Sequence, residues 1–79
     1  MKLTYDPRYN IAYLQLHEKS EQVETIRVSD ELNIDIAPDG TVSRIELLNA
    51  NVQLGSGDNG KLIVINEALG QHQEIPLVS

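Results

Sequence analysis

The chain has 79 residues, with twelve acidic and six basic side chains, a net charge of −6 and no cysteine. This length allows one small domain, and the missing cysteine excludes a disulfide framework and any thiolate metal site. Nucleic acid and anionic membranes are disfavoured as direct partners, because binding them requires clustered Lys and Arg and the basic residues here are scattered among the acids.

The first half of the chain predicts antiparallel strands. Its apolar residues recur with a period near two, and β-branched residues are frequent, which favours strand over helix. Turn signals separate the apolar stretches about every ten residues. We therefore predict strands over residues 2–5, 11–16 and 23–28, followed by a tight turn at Ser29-Asp30.

The clearest element is a hairpin over residues 32–48. Leu32, Ile34 and Ile36 alternate with polar residues before the turn, so they share one face of the sheet. A Pro-Asp-Gly sequence at 38–40 supplies the turn chemistry. The predicted fold class is therefore mainly β, an antiparallel meander with this hairpin at its centre, with α+β as the alternative.

The same alternation predicts the register of the hairpin. Apolar residues occupy even positions before the turn and odd positions after it, so a loop of even length, residues 38–41, keeps them on one face. The predicted cross-strand pairs are Leu32 with Leu47, Ile34 with Ile45, and Asp35 with Arg44. The last pair is exposed and specifies the pairing more than it stabilises the fold.

The second half of the chain is less regular. Residues 49–54 fit either a continued strand or one helical turn, and residues 55–60 have the composition of a loop. We expect the C-terminal segment, residues 61–78, to add one or two strands or a short helix. Its predicted parts are an apolar strand covered on both faces at 61–65, a helical turn over 66–70 that stops at Gly70, and a last strand at 73–78 with Pro76 at a sheet edge or a bulge.

The outer face of the predicted sheet is not cleanly polar. Five apolar or aromatic residues lie on it and form a candidate interface: Ile11, Tyr13, Val23, Val42 and Leu48. Contiguous apolar surface on a small protein usually marks an interface. We expect this face to be covered by the C-terminal segment or by the same face of a second copy, since a domain this small is marginally stable alone.

The first half of the chain contains several short motifs, each of which occurs once. They are Tyr5-Asp6-Pro7, Ala12-Tyr13-Leu14-Gln15-Leu16, Asn33-Ile34-Asp35-Ile36, Asp39-Gly40 and Ile45-Glu46-Leu47-Leu48-Asn49-Ala50. Together they resemble a small bacterial family known as domain of unknown function 2283, over about residues 3–50. The resemblance implies a β-rich fold and brings no established activity. Residues 55–79 form a C-terminal extension outside it, within a single domain of residues 1–79.

Three patterns that could carry chemistry are better explained otherwise. Residues 55–60 match G-x-G-x-x-G, but a dinucleotide site needs a helix after that motif and a strand-like segment follows here. Residues 35–46 have partial calcium-loop spacing, but their flanks are strands, not helices. His17 and His72 lie apart in polar stretches, which predicts exposed positions. We therefore predict no catalytic, cofactor-binding or metal-binding residues and no cofactor.

A polar cluster on the central hairpin is the remaining candidate site. It consists of Asn33, Asp35, Arg44 and Glu46, which lie on one strand pair. Two neighbouring carboxylates could perform acid–base chemistry. Arg44 between them favours instead an ion-pair ladder that keeps both carboxylates ionised.

Three hypotheses for function follow. The one we favour is a non-enzymatic, self-associating protein-interaction module, with a homodimer as the preferred oligomer. The second is an acidic, antitoxin-like protein that masks a basic protein partner, which the charge of −6 suggests. The third is a small ligand-binding or enzymatic site at the polar cluster. No signal peptide or membrane-length apolar run is present, so we expect a cytoplasmic protein without a membrane partner.

Overall fold

The computed structural model describes residues 1–18 and 22–78. Their elements are seven antiparallel strands, one short α-helix and a 3-10 turn, so the prediction of a mainly β fold is confirmed. The strands are β1 (Lys2–Asp6), β2 (Ile11–Gln15), β3 (Glu24–Ser29), β4 (Leu32–Ile36), β5 (Val42–Leu48), β6 (Lys61–Asn66) and β7 (Gln71–Pro76). Helix α1 covers Ala50–Gly55, and the 3-10 turn covers Asp58–Gly60. No helix in the described part of the chain has the length and apolar character needed to cross a membrane.

Strands β1 to β5 form one sheet in the order β1-β2-β5-β4-β3. Strands β3, β4 and β5 follow one another as a meander, whereas β2 pairs with β5 instead of β3. Strands β2 to β5 therefore have Greek-key order, with the central hairpin of β4 and β5 between the outer strands. Strands β6 and β7 form a separate two-stranded sheet.

The predicted register of the central hairpin is confirmed. Each polar residue faces a polar residue and each apolar residue faces an apolar one, which keeps the two faces chemically distinct. The observed partners include Leu32 with Leu47, Asn33 with Glu46, Ile34 with Ile45 and Asp35 with Arg44.

The turn end of the hairpin differs from the prediction. Five residues, 37–41, separate the strands instead of four. Ile36 pairs with Val42, and the register then shifts so that Ser43 is the additional residue of a β-bulge. The placement of Val42 on the outer face is therefore wrong, because a residue shares the face of its partner and Ile36 belongs to the other side.

The register of all five strands defines two faces of the sheet. The apolar face carries Leu3, Tyr5, Ala12, Leu14, Ile26, Leu32, Ile34, Ile36, Val42, Ile45 and Leu47. The polar face carries Lys2, Thr4, Asp6, Ile11, Tyr13, Gln15, Thr25, Arg27, Asn33, Asp35, Arg44, Glu46 and Leu48. The alternation of side chains along each strand generates this separation directly.

Few side chains in this fold are buried. Ala12 and Ala50 are the only buried apolar residues among those the structure describes. The large side chains of the apolar face all keep part of their surface exposed, and Ile26 on the edge strand β3 is 41% exposed. The sheet is thus a single layer whose apolar face lacks the close cover that a protein core normally has.

Helix α1 is fixed at one end of the sheet by two turns. Asn10, in the turn between β1 and β2, has a φ of 57°, a left-handed conformation that asparagine tolerates. Its backbone carbonyl accepts the N–H of Ala50 at 3.0 Å, and its side-chain oxygen accepts the N–H of Asn51 at 2.7 Å. The side chain of Gln53 donates to the carbonyl of Glu31, between β3 and β4, at 3.0 Å. These contacts explain why a helix follows β5 where the sequence allowed strand or helix.

The C-terminal segment adds two strands, as the sequence predicts, and they form a sheet of their own instead of extending the five-stranded one. Strand β6 pairs with β7 and packs against α1 and the 3-10 turn. Its predicted cover on both faces is wrong, because Val64 and Ile65 are 46% and 61% exposed. Pro76 lies on β7, opposite Lys61 of β6. Because β7 has β6 as its sheet partner in a two-stranded sheet, the predicted place of Pro76 on an edge strand is confirmed.

Residues 67–70 form the hairpin turn between β6 and β7. A helical turn was predicted here, and that prediction is wrong. The side-chain oxygen of Asn66 accepts the N–H of Leu69 at 3.2 Å, and Gly70 has a φ of 66°. An asparagine that bonds to its own turn and a glycine at positive φ are the residues such a turn requires.

Candidate functional site on the polar face

The candidate polar cluster lies at the centre of the polar face. Strand β4 contributes Asn33 and Asp35, and strand β5 contributes Arg44 and Glu46. The register brings all four together as two adjacent cross-strand pairs, Asn33 with Glu46 and Asp35 with Arg44. Residues two apart on each strand point to the same side, so the pairs are neighbours on one surface.

Asp35 is the most buried member of the cluster, with 6% of its surface exposed, so the expectation of an exposed pair is wrong for this residue. The hydroxyl of Thr25 on β3 donates to its Oδ1 at 2.6 Å, and Nε of Arg44 donates to its Oδ2 at 3.2 Å. Both carboxylate oxygens therefore have a donor, as a buried charge requires. The carboxylate joins three neighbouring strands, β3, β4 and β5.

Arg44 makes a second contact on the other side. Its guanidinium carbon lies 4.5 Å from the ring centroid of Tyr13 on β2, a cation–π distance. The ion pair and the aromatic contact together hold the guanidinium between Asp35 and Tyr13. The chain of contacts from Thr25 through Asp35 and Arg44 to Tyr13 thus spans four strands of the polar face.

Glu46 belongs to a separate pair. The side-chain amide of Asn33 donates to its Oε1 at 2.9 Å. An ion-pair ladder with Arg44 between both carboxylates was expected, whereas the ion pair recorded for Arg44 is with Asp35. The difference follows from the register, which sets Arg44 directly opposite Asp35 and Glu46 directly opposite Asn33.

The arrangement is suited to holding strands in register. The acceptors of Asp35 are engaged by Thr25 and Arg44, and Glu46 is engaged by Asn33. In residues 1–18 and 22–78, no group of three or more His, Cys, Asp or Glu side chains converges. Carboxylates that accept hydrogen bonds from the neighbouring strand specify one alignment of the sheet, since a shift by one residue would separate each acceptor from its donor.

Thr25 is the member that the sequence did not reveal. Antiparallel pairing of β3 with β4 places Thr25 opposite Asp35. A bulge between Arg27 and Ser29 shifts this register by one residue, so counting back from the turn after β3 does not lead to the correct pair. The alternating pattern of β3 was the available signal, but the bulge obscured it.

The residues of the candidate interface do not form one surface. Ile11 and Leu48 are direct cross-strand partners on the polar face, and Tyr13 lies beneath Arg44. Val23 precedes β3, and Val42 lies on the apolar face opposite Ile36. The structure therefore brings three of the five residues together on the polar face and places Val42 on the opposite face.

Both histidines are exposed, as the sequence predicts. His17 follows β2, and its backbone carbonyl accepts from the hydroxyl of Ser43 at 3.5 Å. His72 lies on β7 in a shallow depression of the C-terminal hairpin, beside Val64 and Gln73. The two imidazoles thus lie on different sheets and do not form a common site.

The family assignment rests on the five-stranded sheet and the start of α1. The family model described as a protein of unknown function (DUF2283) matches residues 2–51, so the chain belongs to this family. The match ends within α1 and leaves β6 and β7 outside it, as the resemblance of residues 3–50 predicts. Neither the curated proteins nor the solved structures contain a match to this chain.

Proposed function

We propose that this domain is a non-enzymatic, self-associating interaction module whose working form is a dimer of identical chains. The observation that carries the proposal is the surface that one chain leaves open. Its accessible area is 5924 Å². A compact monomer of this mass exposes about 4,800 Å², so the chain has an excess of about 1,100 Å².

The excess has the size of one partner's share in a stable dimer. A standard protein–protein interface removes about 800 Å² from each partner. The Cα radius of gyration, 13.9 Å, points the same way, because a compact domain of this length has about 12 Å. A second copy would supply the cover that the sheet lacks within one chain.

The polar cluster supports a non-enzymatic role. The carboxylate oxygens of Asp35 already accept hydrogen bonds from Thr25 and Arg44, which suits pairing of strands more than proton transfer. The cytoplasmic location expected from the sequence remains part of this proposal.

The test is urea unfolding at several chain concentrations. Folding coupled to dimerisation makes apparent stability depend on concentration, by about 2.7 kcal/mol for a hundredfold increase. We expect the unfolding midpoint to rise steadily from low to high micromolar concentration. A midpoint that stays constant over that range would contradict self-association as the source of stability.

A further inference from the structure

The apolar face contains an unbroken row of large aliphatic side chains that crosses the whole sheet. The row is formed by one residue from each strand, in the order Leu3, Leu14, Ile45, Ile34 and Ile26. Five strands at their usual separation make this row about 19 Å wide. A second row, one pleat away, runs through Tyr5, Ala12, Leu47 and Leu32.

The charges of the chain lie away from these rows. The polar face carries six charged side chains, which are Lys2, Asp6, Arg27, Asp35, Arg44 and Glu46. On the apolar face, Glu24 pairs with Ile36 at one corner of the sheet. Two copies with a net charge of −6 repel one another, so they associate with least cost through the surface that has the fewest charges.

The C-terminal hairpin does not provide the missing cover. Strands β6 and β7 pair with each other, and β6 packs against α1 and the 3-10 turn. The members of the first row stay partly exposed, and Ile26 at its end is 41% exposed. The excess surface of the whole chain, about 1,100 Å², is large enough for one side of a dimer interface.

We propose that two copies pack the apolar faces of their sheets against each other as a two-layered β-sandwich. This inference rests on the proposed self-association and specifies its surface. The interface is isologous, so the same rows meet around a two-fold axis. The facing sheets lie about 10 Å apart, as in other sandwiches, and the polar faces point outward.

Thiol labelling of adjacent residues tests the surface directly. The natural chain has no cysteine, so Leu14→Cys and Gln15→Cys each introduce one thiol, on the apolar and the polar face of β2. Their maleimide labelling rates are measured at chain concentrations well below and well above the dissociation constant. Sedimentation of both variants at the higher concentration establishes that each still dimerises.

We expect a high chain concentration to slow the labelling of the apolar-face thiol and to leave the labelling of the polar-face thiol nearly unchanged. Labelling tracks the population of dissociated chain, so the rate for Leu14→Cys should fall at least about tenfold and that for Gln15→Cys less than about twofold. Leu3→Cys and Thr4→Cys, on the edge strand β1, give the same comparison if Leu14→Cys does not fold.

The outcomes separate the two proposals. A dimer that protects the thiol at position 15, or neither thiol, overturns the face-to-face sandwich and leaves self-association intact. A chain that sediments as a monomer at every concentration overturns both. Protection confined to the apolar-face thiol in a dimer supports both.

Discussion

Asp35 and Arg44 lie directly opposite each other on the two central strands, and Nε of Arg44 donates to Oδ2 of Asp35 at 3.2 Å. The pair lies at the middle of the polar face, where Thr25 and Tyr13 complete its contacts. The buried carboxylate at the centre of the polar face therefore has its hydrogen-bond donors within one chain. The large side chains of the apolar face stay partly exposed within one chain, so we expect a second copy to cover that side.

A double-mutant cycle measures the energy of this pair. Asp35→Asn, Arg44→Met and the combined variant should give a coupling free energy of about 1 kcal/mol, because Asp35 is buried and Arg44 is partly exposed. Urea unfolding at one fixed chain concentration provides the measurement. The exposed pair of Arg27 and Asp30 is the control, with an expected coupling below about 0.5 kcal/mol. Equal couplings for the two pairs would contradict the structural role given to Asp35.

Charge substitution on the two edge strands compares the faces. Ile26→Glu on β3 and Thr4→Glu on β1 each add one negative charge at an exposed position, on the apolar and the polar face respectively. We expect Ile26→Glu to weaken dimerisation by about tenfold or more, since a charge would be buried in the interface. Thr4→Glu should leave the sedimentation profile of the natural chain nearly unchanged. If Thr4→Glu is the more disruptive variant, the interface lies on the polar face.

The turn of the central hairpin contains Asp39, a carboxyl group whose pKa is lowered. The hydroxyl of Thr41 donates to Oδ1 of Asp39 at 2.7 Å, and this bond lowers the pKa of Asp39 below its ordinary 3.8. Thr41→Val should raise that pKa, although the backbone N–H of residue 41 still donates. Carboxyl-carbon NMR titration checks the shift. The pKa of Asp6, which Arg8 lowers, is the internal control and should not move.

The lowered pKa of Asp39 determines how this residue affects stability as the pH changes. A carboxyl whose pKa is lower in the folded chain contributes stability that is fully present above its unfolded pKa. That contribution from Asp39 is lost as the pH falls through the folded-state pKa, below 3.8. A pKa for Asp39 that is the same in the natural chain and in Thr41→Val would show that the hydroxyl bond is not its cause.

Gly60 joins the C-terminal residues to the 3-10 turn. Its carbonyl accepts the N–H groups of Leu77 and Val78 at 2.9 and 3.0 Å, its φ is 73°, and a Cβ there would meet the carbonyl of Val78. Gly60→Ala should lower the free energy of unfolding by about 2 kcal/mol, through strain and the lost contact. Gly57→Ala is the control, because its side chain would enter open space, with a change of less than about 0.5 kcal/mol. Similar losses for both variants would contradict this role of Gly60.

Local patterns made the central hairpin predictable. Strict alternation in β4 and β5 determined that Ile34 faces Ile45, because any shift by one residue would mix apolar and polar side chains. The bulge at Ser43 was not predictable, because only Val42 lies beyond it on β5 and a single residue is too few to reveal a change in the alternation. The pairing of β2 with β5 joins strands far apart in sequence, and local periodicity carries no information about such contacts.

The candidate site was predicted in part for the same reason. Asn33, Asp35, Arg44 and Glu46 share a strand pair whose register the sequence determines. Thr25 and Tyr13 reach the cluster from β3 and β2, which depend on a bulge and on non-local pairing. Sequence periodicity shows which side chains share a face, but it does not show whether another chain covers that face.

Sedimentation equilibrium of the natural chain at micromolar concentration measures whether two copies associate. Self-association predicts a mass near twice the 8.8 kDa of one chain, with dissociation on dilution. The shape-independent mass is decisive, because the flat single-layer sheet would distort an estimate from elution volume alone. A mass of 8.8 kDa throughout the micromolar range would contradict it, and the apolar face would then be exposed in a stable monomer.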